Sequence, residues 1–278
     1  MTIVNSKKYQ SIIKKALKED IQSGDLTSLS IFKESDVCKA QLIAKQDGII
    51  AGLAVFKKTF KLLDKNIKVK LLFKDGQHCQ NKAVIAEISG PVIGVLGAER
   101  VALNLLQRMS GIATLTNQFV KLCDNRCKVL DTRKTAPNLR VLDKWAVKLG
   151  GGKNHRIGLY DMALIKENHI KAAGGIKLAV DKVLNHDKHQ HPIEVEVTNL
   201  DELKQALECD IDRIMLDNMD NDTMREAVSI TAGKIDLEAS GNVNLSTIGG
   251  ISKTGVDYIS IGALTHSVEA LDYSLLIK

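Results

Sequence analysis

The sequence predicts an α/β protein in two parts, a small N-terminal α/β domain followed by an incomplete α/β barrel. Three observations predict it. Strand-like and helical stretches are mixed in the N-terminal third; beyond it, short β-prone runs recur, each followed by a stretch with helical potential; and those runs end in charged residues or glycine. At 278 residues the chain exceeds the usual single-domain size, so one large barrel or a barrel with a companion domain is expected.

The elements follow in order. VCKAQLIAK (37–45), GIIAGL (48–53), IKVKLLF (67–73) and AVIAEISG (83–90) are rich in β-branched and apolar residues and read as strands. Between them, VFKKTFKLLDK spaces its apolar residues at near-helical intervals. From Ala98 to about Asp124 the pattern is helical, with Val101, Leu105, Ile112, Leu115 and Phe119 on one face. Then come CKVLD (127–131), MALIK (162–166), IEVEV (193–197), RIMLD (213–217), IDLEA (235–239) and DYISI (257–261), alternating with helical stretches as parallel βαβ units do. Glu196, Asp217 and Glu238 recur at equal spacing, one compact βα unit apart.

Composition narrows the function. Hydrophobic residues at 44%, charged residues at 26% and only 3 Pro describe a soluble globular chain. No apolar run approaches the roughly 20 residues of a membrane helix, and MTIVNSKKYQ lacks the apolar region of a signal peptide, so a cytoplasmic location is expected. Five scattered cysteines, an odd number, suit reduced thiols; Cys123 and Cys127 are four apart, but no second Cys or His pair completes a zinc site. A pI near 8.9 invites a nucleic-acid reading, but aromatic residues are only 4% and the basic excess is interleaved with glycines and carboxylates. That excess lies almost wholly in DTRKTAPNLRVLDKWAVKLGGGKNHRIGLYDMALIKENHIK (131–171), which suits a pocket for a small, highly charged anion.

The strand ends deliver Asp131-Thr132-Arg133-Lys134, Lys166, Glu196, Asp217, Glu238 with Ser240, and Gly262, and in α/β barrels that end builds the active site. Arg133, Lys134, His155, Arg156 and Lys166 are expected at the mouth, facing Glu196 and Asp217. Arginine suits bidentate contact with carboxylate or phosphate, and lysine supplies a movable point charge. Two carboxylates beside a polyanion call for a hard cation such as Mg²⁺, which takes one or two protein carboxylates plus phosphate oxygens. GGGKN (150–154), SGN (240–242) and IGA (261–263) are turns in which glycine lets backbone N–H groups approach phosphate.

The run DTRKTAPNLRVLDKWAVKLGGGKNHRIGLYDMALIKENHI closely resembles the core of the quinolinate phosphoribosyltransferases. Supporting motifs lie in order on both sides: EDIQSGDLTS, GIIAGL, GAERVALNLLQRMSGIAT, EVEV, IMLDNM, LEASGNVN and GVDYISIGALTHS. The resemblance implies residues 1–110 as an N-terminal α/β sandwich domain and 111–278 as an incomplete, about seven-stranded TIM-like barrel. It implies that quinolinate and phosphoribosyl pyrophosphate become nicotinate mononucleotide, pyrophosphate and CO₂ with Mg²⁺, in NAD biosynthesis. It assigns Arg133, Lys134, His155, Arg156 and Lys166, with Thr132, to the substrate, and Lys134 and Lys166 also to the phosphoribosyl side. Glu196 and Asp217 resemble the metal and ribose ligands; Ser240, Gly241 and Asn242, with Ile261, Gly262 and Ala263, resemble the phosphate-binding turns. Arg100 matches an arginine that the family contributes across a homodimer interface. Lys134, Lys166, Glu196 and Asp217 are the catalytic candidates. Departures are modest: Ala136-Pro137-Asn138 stands where Thr-Pro-Gly is common, Trp145 where Tyr is common, and Asn242 where Gly is frequent.

Other features read as structural. NHDKHQH (185–191) is expected as a solvated loop, Trp145 and Leu149 as packing, and Asp25 and Thr27 as a helix or turn cap. The alternatives are a related protein acting on another anion, and a non-catalytic sensor of nucleotide or phosphoribosyl pyrophosphate.

Overall fold

The computed structural model describes residues 7–278; residues 1–6, part of the segment on which the absence of a signal peptide was read, lie outside the described residues. The N-terminal elements are α1 (Lys7–Ile21), α2 (Leu26–Ile31), β1 (Val37–Ala44), β2 (Gly48–Ile49), α3 (Leu53–Leu63), β3 (Lys68–Leu71), β4 (His78–Cys79) and β5 (Val84–Pro91). The long helix α4 (Val92–Cys123) follows, then β6 (Lys128–Leu130), α5 (Arg140–Leu149), β7 (Ala163–Ile165), α6 (Glu167–Ala173) and α7 (Ile176–Asp187). The chain ends with β8 (Ile193–Val197), α8 (Leu200–Leu207), β9 (Arg213–Asp217), α9 (Asn221–Thr231), β10 (Asp236–Ser240), α10 (Ile248–Ile251), β11 (Tyr258–Ser260), α11 (Ala263–His266) and β12 (Tyr273–Ile277).

Two compact units interleave along the sequence: residues up to Asn117 with Thr135–Gly151 and Thr265–Lys278, and Gln118–Lys134 with Gly152–Leu264. Thr135–Gly151 and Thr265–Lys278, both beyond the division expected at 110/111, belong to the first unit.

The first unit carries an antiparallel sheet of order β12-β1-β5-β3. Its core joins Leu42, Phe56, Phe60, Ile85 and Leu106, with the Phe56 and Phe60 rings edge to face at 5.0 Å. GIIAGL pairs as a strand only at Gly48 and Ile49; Gly52, at φ +104°, then turns the chain into α3. Asp75 Oδ1 accepts the Gly52 and Leu53 amides at 2.7 and 2.9 Å, satisfying donors that begin the helix. Asp25 caps α2 by accepting from the Thr27 and Ser28 amides. Helix α1 buries Tyr9, Ile13 and Leu17, one residue per turn, and Trp145 packs against Tyr9 edge to face at 6.5 Å. Arg108 forks onto the fully buried Asp143 with bonds of 2.9 and 2.8 Å, and the Ala136 amide donates to the same carboxylate.

The second unit is an open parallel sheet of order β6-β11-β10-β9-β8-β7. A one-residue parallel bridge at Lys153, beside Leu130, takes the seventh place expected beyond β6. The strand sequences alternate for a physical reason. Ile193, Val195 and Val197, Ile214 and Leu216, Leu237 and Ala239, and Ile259 form the buried apolar face. Glu194 and Glu196, Arg213 and Asp217, Glu238 and Ser240, and Tyr258 and Ser260 share the opposite, inner face. Asn199 caps α8 and Asp220 caps α9, which fixes where each strand hands over to its helix.

Candidate active site

Register decides which charges reach the mouth. Ser240 pairs with Asp217, while Glu238 pairs with Met215 and Tyr258, so Glu238 lies below the strand end where the sequence put it. Glu194 and Glu238 are both completely buried.

At the rim, Lys166 is the N-cap residue of α6 and its Nζ stands 3.2 Å from Glu196 Oε2. Asp217 Oδ2 accepts from the Asn218 side-chain amide at 2.9 Å. Asn218, absent from the residues expected at the site, also accepts from Asn242 Nδ2 at 3.1 Å, and its backbone amide donates to Ser240 O at 2.9 Å. It thereby fastens the SGN turn to the end of β9. Gly241 has φ +101°, and a Cβ there would collide with Asn218 Oδ1. Asn242, at φ +51°, occupies the left-handed region that asparagine tolerates, and Asn138 does so at φ +64° in the Ala-Pro-Asn turn.

Arg133 and Lys134 are exposed after β6, and the Lys134 amide donates to Thr132 Oγ1 at 3.0 Å. Arg156 Nη1 donates to Met162 O at 3.2 Å. Burial, and after it the neighbouring Arg133 charge, pull the Arg156 guanidinium below its ordinary pKa. The fork of an arginine matches a carboxylate or phosphate, so Arg133 and Arg156 are each suited to an anion.

His155, expected among the cations at the mouth, is buried. Its backbone amide donates to buried Asp131 Oδ1 at 2.9 Å, beside a hydrogen bond from the Asn154 side chain to Asp131 Oδ2, and its ring is inserted among the inner-face charges. Nε2 lies 2.9 Å from Glu194 Oε2 and 3.5 Å from Glu238 Oε2, and Nδ1 accepts the Arg156 amide at 2.7 Å. The two ring nitrogens compete. The amide on Nδ1 favours the neutral ring; at Nε2, burial pushes the pKa down, but bonds to Glu194 and Glu238 and their charges outweigh it and lift it to about 9. Burial and the Glu238 charge lift Glu194. Glu238 is held below its ordinary value against burial, by His155, Ser260 and Arg213.

The remaining residues divide. The Ile261 side chain is 1% exposed and its amide is spent on Leu130 O at 3.0 Å, so Ile261 sets the turn while Gly262 and Ala263 continue it. Arg100 belongs to the first unit and is exposed on α4. His189 pairs with Asp210 and Asp212 and His191 with Asp187; the segment expected as a loop is helical up to Asp187, where α7 ends. The only metal-capable cluster among the described residues is His155, Glu194 and Glu238. No described helix is long and apolar enough to cross a membrane.

An open α/β barrel with lysine, arginine and carboxylates along the carboxyl ends of its strands defines a class of enzymes that handle small polyanions. The comparisons give the family. The description "Quinolinate phosphoribosyl transferase, C-terminal domain" matches residues 112–276, and its N-terminal counterpart matches 25–110. A Bacillus subtilis relative named "Probable nicotinate-nucleotide pyrophosphorylase [carboxylating]" is 46% identical over 98% of this chain and 94% of its own. An Arabidopsis thaliana chloroplastic nicotinate-nucleotide pyrophosphorylase is 44% identical over 96% and 82%. The solved nicotinate-nucleotide pyrophosphorylase of Francisella tularensis superposes with a TM-score of 0.94 over 100% of both chains, at 44% identity. The chain belongs to the quinolinate phosphoribosyl transferase family.

Proposed function

We propose that this protein is a carboxylating nicotinate-nucleotide pyrophosphorylase: it joins quinolinate to the ribose of phosphoribosyl pyrophosphate and releases pyrophosphate, CO₂ and nicotinate mononucleotide, a step of NAD biosynthesis. The observation that carries this reading is the charge at the carboxyl ends of the parallel strands, where exposed Arg133 follows β6 and Lys166, at the end of β7, pairs with Glu196 of β8 at 3.2 Å. Arg133 and Arg156 take the two pyridine carboxylates. Lys134 and Lys166 lie between them and the phosphoribosyl group, and Thr132 supports Lys134 through its amide. Ser240, Gly241 and Asn242, with Gly262 and Ala263, cradle phosphate.

The ring nitrogen carries its own lone pair, so attack on the ribose carbon needs no general base. As pyrophosphate leaves, positive charge grows on the ribose, and Glu196 and Asp217 stabilise it electrostatically. Both carboxylates offer hard oxygen donors at the strand ends, Glu196 beside Lys166 and Asp217 beside the Asn218 side-chain amide, which fits Mg²⁺ held by Glu196 and Asp217 with phosphate oxygens. Bound there, the metal would neutralise charge on the departing pyrophosphate. After N-ribosylation the cationic ring accepts the electron pair left by CO₂, and Lys134 or Lys166 supplies the proton that ends on that carbon.

Homodimerisation, with Arg100 completing a partner's site, and cytoplasmic residence belong to the same proposal; the unpaired cysteines suit a reducing compartment. Calorimetry with quinolinate and nicotinate tests the two-carboxylate site. Quinolinate is expected to bind at least ~10-fold more tightly, the worth of one charge-assisted contact. Equal binding would remove the basis of the reading.

A further inference from the structure

Recognition at the mouth leaves one set of charges unused. Below it, on the inner face, His155 Nε2 lies between Glu194 and Glu238, and Arg213 Nη1 stands 3.0 Å from Glu238 Oε2. Glu194 Oε1 and Glu238 Oε1 are buried without a hydrogen-bond partner. Burying a carboxylate costs several kcal/mol, so these two contribute little to stability unless they hold another group in a single geometry. The three ligand atoms lie within 4.8 Å of one another and so could hold a metal ion. Arg213 and the imidazole already oppose both acids, so the charge is balanced without one.

What the acids do hold is the His155 ring, and the ring holds the residue that follows. The Arg156 amide donates to His155 Nδ1, and the Arg156 guanidinium is the one that feels Arg133. The His155 backbone is pinned separately, by Asp131, so the ring's orientation is the adjustable part. A ring released from Glu194 and Glu238 turns about its side-chain bonds and gives up the Nδ1 contact, and the aim of Arg156 goes with it.

We propose that Glu238 and Glu194 are positioning residues for the quinolinate carboxylates, acting through His155 on Arg156. The proposal rests on the functional reading above and adds to it two residues that touch no substrate.

The test is steady-state kinetics of Glu238→Leu, Glu238→Gln and Glu194→Ala in the full chain, varying each substrate in turn. Glu238→Leu is expected to raise the KM for quinolinate by about 10-fold or more, with the KM for phosphoribosyl pyrophosphate within about twofold, because misaiming one binding group is felt by its own ligand. Glu238→Gln keeps an acceptor for Nε2 and is expected within about threefold of wild type, a rescue that a packing defect would not show. Should Glu238→Leu fail to fold by circular dichroism, Glu194→Ala, which leaves no acceptor for Nε2 at that position, carries the test, with an expected selective rise of about 3-fold or more. An unchanged quinolinate KM in the folded variants, or equal loss for both substrates, overturns the proposal. A wild-type protein that does not turn over quinolinate overturns the functional reading and this proposal with it, so the two failures are told apart by the first measurement.

Discussion

Replacing Arg133 by alanine tests the anion site at the point where the structure lets a magnitude be worked out. Arg133 is exposed beyond the end of β6, so its loss is expected to cost under ~0.5 kcal/mol of stability. For the ligand, a charge-assisted hydrogen-bonded contact to a carboxylate is worth about 1.5–3 kcal/mol, or roughly 10- to 150-fold in affinity. A second effect acts in the opposite direction. The Arg133 charge pulls the Arg156 guanidinium down, and removing it relieves that repulsion and strengthens the remaining contact. The net loss therefore falls in the lower half, about 10- to 40-fold in quinolinate affinity. Calorimetry gives the affinity and steady-state kinetics at saturating phosphoribosyl pyrophosphate gives the KM. Quinolinate affinity within twofold of wild type, in a protein that melts normally, refutes the placement of Arg133 in the site.

The other predictions address the turn, the frame and the shared site. Gly241→Ala places a Cβ against the Asn218 side chain at φ +101°, and is expected to cost about 1–3 kcal/mol of stability and to weaken phosphoribosyl pyrophosphate binding before quinolinate binding; calorimetry with each ligand reads the order. Asp143→Ala strips the buried partner from Arg108. Because the Arg108 side chain is 25% exposed, the cost is set below that of a fully buried pair, at about 2–3 kcal/mol. A thermal melt is expected to fall by about 3–5 °C. Mixing and re-associating Arg100→Ala with Lys134→Ala is expected to restore part of the activity that each lacks, since one site of a mixed dimer has both residues. No recovery despite proven subunit exchange would count against a shared site.

Legibility in the sequence followed the range of the physical cause. The barrel strands were readable because IEVEV and RIMLD carry their apolar residues at period two, a local property of the pleat. The rim was readable because Lys166, Asp217 and Ser240 are placed by the strand ends that deliver them. Equal spacing misled at Glu238: register pairs Ser240 with Asp217, and register is a relation between strands. His155 was placed among the cations at the mouth, and its burial, which sets its ring against Glu194 and Glu238 from two other strands, is a relation that the local sequence does not carry. Asn218 has a local sign, a non-glycine residue just past a strand end, but its role depends on reaching the SGN turn across the sheet. Strand β12 was missed because its partner β1 lies near the other end of the chain. GIIAGL reads as a strand to its end, but β2 stops at Ile49 and Gly52, at φ +104°, leads into α3.

The most direct test is turnover. Purified protein with Mg²⁺, phosphoribosyl pyrophosphate and quinolinate is followed for nicotinate mononucleotide and CO₂ together, with nicotinate as the control substrate. The account predicts the two products in equal amounts from quinolinate and none from nicotinate. Quinolinate bound without product would make the chain a sensor, and no quinolinate binding at all would show that the basic mouth serves a different anion.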